Sequence, residues 1–199
     1  MNRDNEQARL SWALVQLPAG QAKKADQFMQ CLERLLRFNE VERMLLLPGS
    51  AALLLHLKQL YAGWGSREGK TRLCERYPVQ EPSAAEDASG ASVWIASLRQ
   101  AQLRTSGANA LPRRAFDAIL VYDIAGTSPV WKAVLTYFEA PYRIGFSQGR
   151  NPQLVQLFGG RLLSSQAFTA VRPGSWLFDM PTRASEELDG KKGGGSHIL

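Results

Sequence analysis

Three short polar turns carry the side chains in this sequence that could bind or transform a ligand. The first turn, PAGQAKK at residues 18–24, lies between a predicted strand and a predicted helix. The free N–H groups at the start of such a helix attract anions, and lysines add positive charge. A single glycine there is more often part of a turn that binds nothing. The residues that carry the anion-binding hypothesis are Gly20, Gln21, Lys23 and Lys24.

The second and third turns each follow a further predicted strand. Their polar residues are Gly49, Ser50, Asp123, Thr127 and Ser128. Asp123 is the one that could act as a general base or bind a sugar hydroxyl, and capping the next turn is an equally ordinary role. Because parallel strands end at one edge of their sheet, we expect the three turns to form one ligand-binding edge.

Other kinds of chemistry lack their motifs. The glycine-rich dinucleotide and P-loop fingerprints are absent, as is a G-x-S-x-G nucleophile elbow. The sequence has two histidines, and His56 lies among leucines of a predicted helix, where a core or half-exposed histidine is expected. Without Cys-x-x-Cys or H-E-x-x-H, no metal site and no cofactor is predicted.

The elements that would position these turns alternate between strand and helix. Strands are predicted near 11–17, 41–47, 116–122 and 142–146. Helices are predicted near 21–38, 51–61, 91–104, 129–140 and 153–158, and residues 161–171 fit a helix or a strand. This alternation predicts an α/β, three-layer Rossmann-like domain with a mainly parallel sheet. The domain should span residues 11–180, with an exposed loop at 78–90 and flexible ends at 1–10 and 181–199.

The amino-acid composition bears on the size of the domain, its location and its partners. The chain has 199 residues, of which 45% are hydrophobic, enough for one packed domain. No apolar run is long enough for a transmembrane helix, and two cysteines make no disulfide framework, so a cytoplasmic protein is predicted. The net charge of +6 suits an anionic partner or peripheral contact with a membrane surface, and also simple solubility. The aromatic residues are not interleaved with basic ones as in RNA-binding proteins.

The stretch at residues 116–146 resembles glycosyltransferase family 9, the heptosyltransferases. The resemblance comes from the strand FDAILVYD, the helix after it and the segment RIGF at residues 143–146, and more loosely it covers residues 11–158. It implies one half of a GT-B architecture, the half that holds the sugar or phosphorylated acceptor, with no metal required. Arg143 comes at the beginning of its strand, so we expect it away from the ligand edge.

Two departures from the family pattern matter. The family usually has Gly-Asp in its first loop, with the aspartate as base, whereas this chain has Gly20 followed by Gln21. A donor-binding half also does not fit after residue 158, so a donor-binding partner subunit would be needed. The first hypothesis is therefore a truncated or degenerate family-9-like acceptor domain of cell-envelope glycan synthesis, inactive in isolation. The alternative is a non-catalytic Rossmann-like module that binds an anionic or phosphorylated ligand or a protein.

Overall fold

The fold is a parallel sheet between two layers of helices. The computed structural model describes residues 12–38, 41–65, 71–82 and 92–164. The strands in these residues are β1 (Trp12–Gln16), β2 (Arg43–Pro48), β3 (Ser92–Ile95), β4 (Ala118–Tyr122), β5 (Tyr142–Ser147) and β6 (Leu162–Leu163). The helices are α1 (Gln21–Phe38), α2 (Leu53–Gly63), α3 (Leu73–Arg76), α4 (Leu98–Leu103), α5 (Pro129–Tyr137) and α6 (Pro152–Leu157).

All six strands are parallel and lie in the order β3-β2-β4-β5-β1-β6. The predicted three-layer α/β fold is therefore confirmed, including the parallel pairing of β4 with β5. The order differs from the 3-2-1-4-5-6 order of the dinucleotide-binding fold, because β1 lies between β5 and β6.

The strands bury side chains on both faces of the sheet. In β4, Leu120 and Tyr122 face one hydrophobic cluster, and Ile119 and Val121 face the other. The first cluster is completed by α1, α2 and α3, and the second by α4, α5 and α6. Burial on both faces explains why the strand sequences are almost continuously apolar.

The two helices that follow polar turns begin as their sequences predict. In α1 the buried residues Phe28, Leu32 and Leu35 recur at helical spacing and face the sheet. In α5 the hydroxyl of Ser128 accepts a hydrogen bond from the Trp131 N–H, and Pro129 occupies the first helical position. The first residues of α1 and α5, and the polar turns before them, therefore lie at the carboxyl edge of the sheet.

The helix predicted over residues 91–104 is wrong in its first half. Residues 92–95 form β3, which pairs with β2, and α4 begins only at Leu98. Val93 and Trp94 are buried on opposite faces of the sheet, as a strand requires. The run of apolar residues also fits helical spacing, so periodicity alone could not distinguish the two structures.

The remaining boundaries differ in smaller ways. The second predicted helix is displaced by two residues, to Leu53–Gly63. In the loop predicted at 78–90, Pro78 and Gln80 hydrogen-bond to Val93 and so continue the sheet beyond β3. Of the residues predicted as helix or strand at 161–171, those at 162–163 form β6. The predicted ends at 1–10 and 181–199, and the region 165–180, lie outside the described residues.

Neighbouring strands of the sheet send their connections to opposite faces at two places. The connections leaving β1 and β2 run through α1, α2 and α3 on one face, whereas those leaving β3, β4 and β5 run through α4, α5 and α6 on the other. Crevices open where neighbouring strands send their chains to opposite faces. This happens where β2 lies between β3 and β4, and again between β1 and β5. Among the described residues, no helix has both the length and the apolar character needed to cross a bilayer.

Candidate functional site

A cleft of about 540 Å³ opens at the carboxyl edge where β2 lies between β3 and β4. The turn after β2, the start of α4 and the start of α5 form its walls. The lining residues are Pro48, Gly49, Ser50, Ala51, Ser97, Leu98, Arg99, Gln102, Ser128, Val130 and Trp131. The predicted residues Gly49, Ser50 and Ser128 therefore lie together in one cleft.

Close backbone packing forms the floor of this cleft. The N–H of Gly49 donates a hydrogen bond to the carbonyl of Tyr122 over 2.7 Å. A β-carbon at position 49 would overlap the backbone of Asp123 and Ile124, so only glycine fits without displacing the chain. The turn after β2 is thus held against the end of β4.

The lining of the cleft combines one cation with hydroxyls and an apolar wall. Arg99 is exposed, on the first turn of α4, and Ser50 is exposed at the rim. Ser97 caps α4 in a capping box with Gln100, which fixes where Arg99 leaves the helix. Apolar atoms come from Leu98, Val130 and Trp131. The arrangement suits a small ligand with a negative group and an apolar part.

An ion pair lies beside the cleft, on the opposite face of the sheet. The Nζ atom of Lys24 is 3.1 Å from Oδ2 of Asp123, and the two side chains are 7% and 21% exposed. Asp123 has a φ of 54°, the only positive φ of a non-glycine residue in the described chain. The carboxylate is therefore bound to an ammonium, a structural role that neither prediction for Asp123 included.

Tyr122, the residue before Asp123, packs against aromatic rings of α1 and α2. The ring of Tyr122 lies 4.7 Å from that of Phe28 and 6.3 Å from that of His56. Burial, with a smaller contribution from the charge of Asp123, raises the pKa of Tyr122 above its ordinary value. Its hydroxyl and Nε2 of His56 are buried without a hydrogen-bond partner in the described chain. The described residues contain no cluster of three or more potential metal ligands, so His56 belongs to no such cluster there.

The second crevice, between β1 and β5, holds the rest of the first polar turn. Gly20 adopts a φ of 95° before α1, and Gln21 and Lys23 are exposed. Across the crevice, Nε of Arg150 donates to Oε1 of Gln16 over 3.3 Å. Lys24 points to Asp123 rather than outward.

The predicted site residues thus share one edge but form two groups. Gly49, Ser50 and Ser128 line the cleft, whereas the residues at 20–23 lie across β4 and β5 from it. Thr127 is exposed and donates its hydroxyl to Gln153 of α6, on the side of the second crevice. The three polar turns lie at one edge of the sheet, as expected. They converge on one site only in part.

Sequence reasoning missed the contribution of α4. Arg99 and Gln102 line the cleft, and both lie in the segment that was predicted as a single helix from 91 to 104. The signal was present, because Ser97 followed three residues later by Gln100 is the pattern of a capping box. Recognising it would have started the helix at residue 98 and placed Arg99 at the ligand edge.

Arg143 lies at the opposite edge, as expected. It pairs in register with Trp12 at the beginning of β1, and its guanidinium carbon lies 3.8 Å from the centroid of that indole ring. It also donates to the carbonyl of Phe138 over 2.7 Å. Burial lowers the pKa of Arg143 to about 10, although the charge of Glu139 opposes the shift. The residue therefore packs the amino edge of the sheet.

A scan against protein-family models found no matching family, and a search of curated proteins found no significant match. The function is therefore inferred from the fold and the cleft.

Proposed function

We propose that this chain is a ligand-binding α/β module that takes a small anionic molecule, such as a phosphorylated metabolite, into the cleft beside β2. The observation that carries the proposal is the position of the cleft, at the carboxyl ends of three parallel strands and where neighbouring strands send their connections to opposite faces. Ligands of open parallel sheets bind at such points. The volume of about 540 Å³ is within the range of small-molecule sites.

Arg99 is the group that would select a negative ligand. Its guanidinium is exposed on a capped helix turn, and it can bind a phosphate through two parallel N–H donors. The hydroxyls of Ser50 and Ser97 are within the same lining and can accept or donate further hydrogen bonds. Within the described lining there is no acidic residue, histidine or cysteine, which favours binding over catalysis at this site.

Binding can be tested by calorimetric titration with inorganic phosphate, sugar phosphates and nucleoside monophosphates. We expect saturable binding of at least one phosphorylated compound, weakened roughly tenfold or more in Arg99→Gln, because hydrogen bonds to charged groups contribute about 1.5–3 kcal/mol. Lys132→Gln is the matched control, since Lys132 is an exposed cation of α5 outside the cleft lining. Equal affinities of the two variants, or no binding by any compound, would refute the proposal.

A second candidate is the acceptor-side domain of a glycosyltransferase similar to family 9, acting in cell-envelope glycan synthesis with a donor-binding partner. It is supported by the resemblance at residues 116–146 and by one feature of the structure. Asp123 is partly exposed at the ligand edge in an unusual backbone conformation, which is common at functional sites. This candidate comes second because the carboxylate of Asp123 is already paired with Lys24.

The two candidates differ in the fate of the bound ligand. A binding module releases the sugar phosphate unchanged, whereas an acceptor domain glycosylates it when a donor half and a nucleotide sugar are supplied. Cys31 and Cys74 are free thiols, so we propose a cytoplasmic location for either role.

A further inference from the structure

The ion pair of Lys24 and Asp123 joins two layers of the molecule that the sheet separates. Lys24 lies in the first turns of α1, in the layer of α1, α2 and α3. Asp123 begins the connection to α5, which packs in the opposite layer. The Nζ to Oδ2 distance is 3.1 Å, between residues 99 positions apart in the chain. The contact therefore ties α1 to the connection at residues 123–128.

The backbone at Asp123 makes a sharp change of direction. Its φ of 54° lies in the left-handed region, which side chains other than Asn and Asp rarely adopt. On one side, the carbonyl of Tyr122 accepts from the Gly49 N–H, and on the other, the Ile124 N–H donates to the carbonyl of Phe146 over 2.8 Å. These bonds fix the chain immediately before and after Asp123.

The Asp123 carboxylate is the polar partner that satisfies the Lys24 ammonium. The Lys24 side chain is 7% exposed, so its charge is largely removed from water. A buried ammonium without a counter-charge is strongly unfavourable, and the carboxylate is therefore drawn to this one position. Asp123 lies between β4 and the loop that carries Ser128. The ion pair of its side chain with Lys24 therefore also restrains this loop.

We propose that the Lys24–Asp123 ion pair positions the loop at residues 123–128 and thereby sets the shape of the cleft beside β2. The route is short. The backbone carbonyl of Asp123 packs against Gly49 at the cleft floor, and the loop ends at Ser128, which caps α5 in the cleft wall. Both residues of the pair are thus positioning residues, and neither one touches the ligand. The expected effect on affinity rests on the proposed binding function, whereas the expected effect on the loop does not.

Amide hydrogen exchange tests the effect on the loop without any ligand. Asp123→Asn keeps the shape and tolerates the positive φ. Lys24→Met keeps an unbranched side chain, one atom shorter, and removes the charge. In each variant we expect the amides of Ile124 and Trp131 to exchange roughly tenfold faster or more, while amides in the middle of β4 keep their protection. Glu139→Gln is the matched control, because it removes a carboxylate from exposed ion pairs with Arg113 and Arg114. Unchanged exchange at Ile124 and Trp131 in both variants would overturn the proposal.

Two further variants separate positioning from general loss of structure. Lys24→Arg keeps the charge, so protection of the loop should recover toward that of the unmodified protein. The double variant with Lys24→Met and Asp123→Asn leaves no unpaired buried charge, so it serves if a single variant does not fold. It should fold and still exchange rapidly at the loop. Faster exchange spread evenly over the whole sheet would show a structural role only and would also overturn the proposal.

Titration with inorganic phosphate then connects the loop to the cleft. Affinity should fall in Asp123→Asn and Lys24→Met and recover in Lys24→Arg, although none of these positions lines the cleft. If the unmodified protein binds no phosphate-bearing compound, the binding function fails, while the exchange experiment still decides whether the pair positions the loop. Full phosphate affinity in variants with rapid loop exchange would refute the link to the cleft.

Discussion

At the scale of single residues, Gly49 has the clearest physical requirement. Its backbone approaches that of Asp123 so closely that no β-carbon fits between them. The sequence predicts a turn at this position, because Pro-Gly-Ser is a typical chain break. It could not reveal the neighbour that requires the glycine, because Asp123 is distant in sequence and only the pairing of β2 with β4 brings it close.

Gly49→Ala should lower the free energy of unfolding by about 1–3 kcal/mol, the usual cost of overpacking. The overlap is with backbone atoms, which cannot move aside as a flexible side chain would. Denaturant unfolding measures the change. Gly63→Ala is the control, since no atom lies near its added methyl group and the backbone is helical. A Gly49→Ala protein as stable as the control would contradict this close packing of the two turns.

Tyr122 is a second residue whose environment leads to a prediction. Its hydroxyl is buried without a hydrogen-bond partner in the described chain, so Tyr122→Phe should cost no stability at pH 7 and can add up to about 1 kcal/mol. Burial raises the pKa of Tyr122 above 10.0, so the unfolded chain ionises first as the pH rises. The free energy of unfolding of the unmodified protein therefore falls as the pH rises above 10. The advantage of the variant should therefore widen between pH 9.5 and 11, an interval set by the ordinary tyrosine pKa of about 10. Unfolding curves at several pH values measure this, and a constant difference would contradict it.

At the scale of elements, α4 depends on its first turn. The helix is only six residues long, and its start is fixed by Ser97 and Gln100, which bond reciprocally. Ser97→Ala should therefore destabilise the protein by about 0.5–2 kcal/mol. Ser106→Ala, at an exposed position beyond α4, should stay within about 0.5 kcal/mol of the unmodified protein. Thermal unfolding compares the two variants, and equal midpoints would show that the cap adds nothing.

The same segment shows what local patterns can and cannot specify. The central strands β2 and β4 and the long helix α1 are predicted within a few residues, because their apolar patterns and breaks agree. β3 is missed, since Val93 and Trp94 are buried on opposite faces and alternation with polar residues is absent. The cleft needs β3 and α4, and for this reason Arg99 could not be assigned to it from the predicted elements.

At the scale of the whole molecule, strand order decides which turns meet. The sequence predicts that all three polar turns share one edge, and this follows from parallel strands alone. It could not predict that two strands separate β1 from β2 in the sheet, because nothing local encodes that order. As a result, the turn at residues 18–24 lies beside β5, away from the turn at residues 48–50.

The isolated chain is expected not to transfer sugar. Gln21 stands where the resembling family has its base, and Asp123 is occupied by Lys24. Loss of general-base assistance costs about 10²–10⁴-fold. A transfer assay with the purified chain and a panel of nucleotide sugars measures this, with a heat-denatured sample as the control. Turnover without a partner would contradict the expectation.

The position of β1 also governs how the chain can acquire its structure. β1 hydrogen-bonds only to β5 and β6 in the described sheet, and its residue Gln16 meets Arg150 from 134 positions further along the chain. During synthesis at about 5–20 residues per second, β1 must wait on the order of ten seconds for its first partner strand. β2, β3 and β4 can pair with one another earlier. The sheet therefore forms first at these strands, and β1 joins it later. Such distant pairing slows folding, and during the wait the apolar β1 is available to chaperones or to other chains.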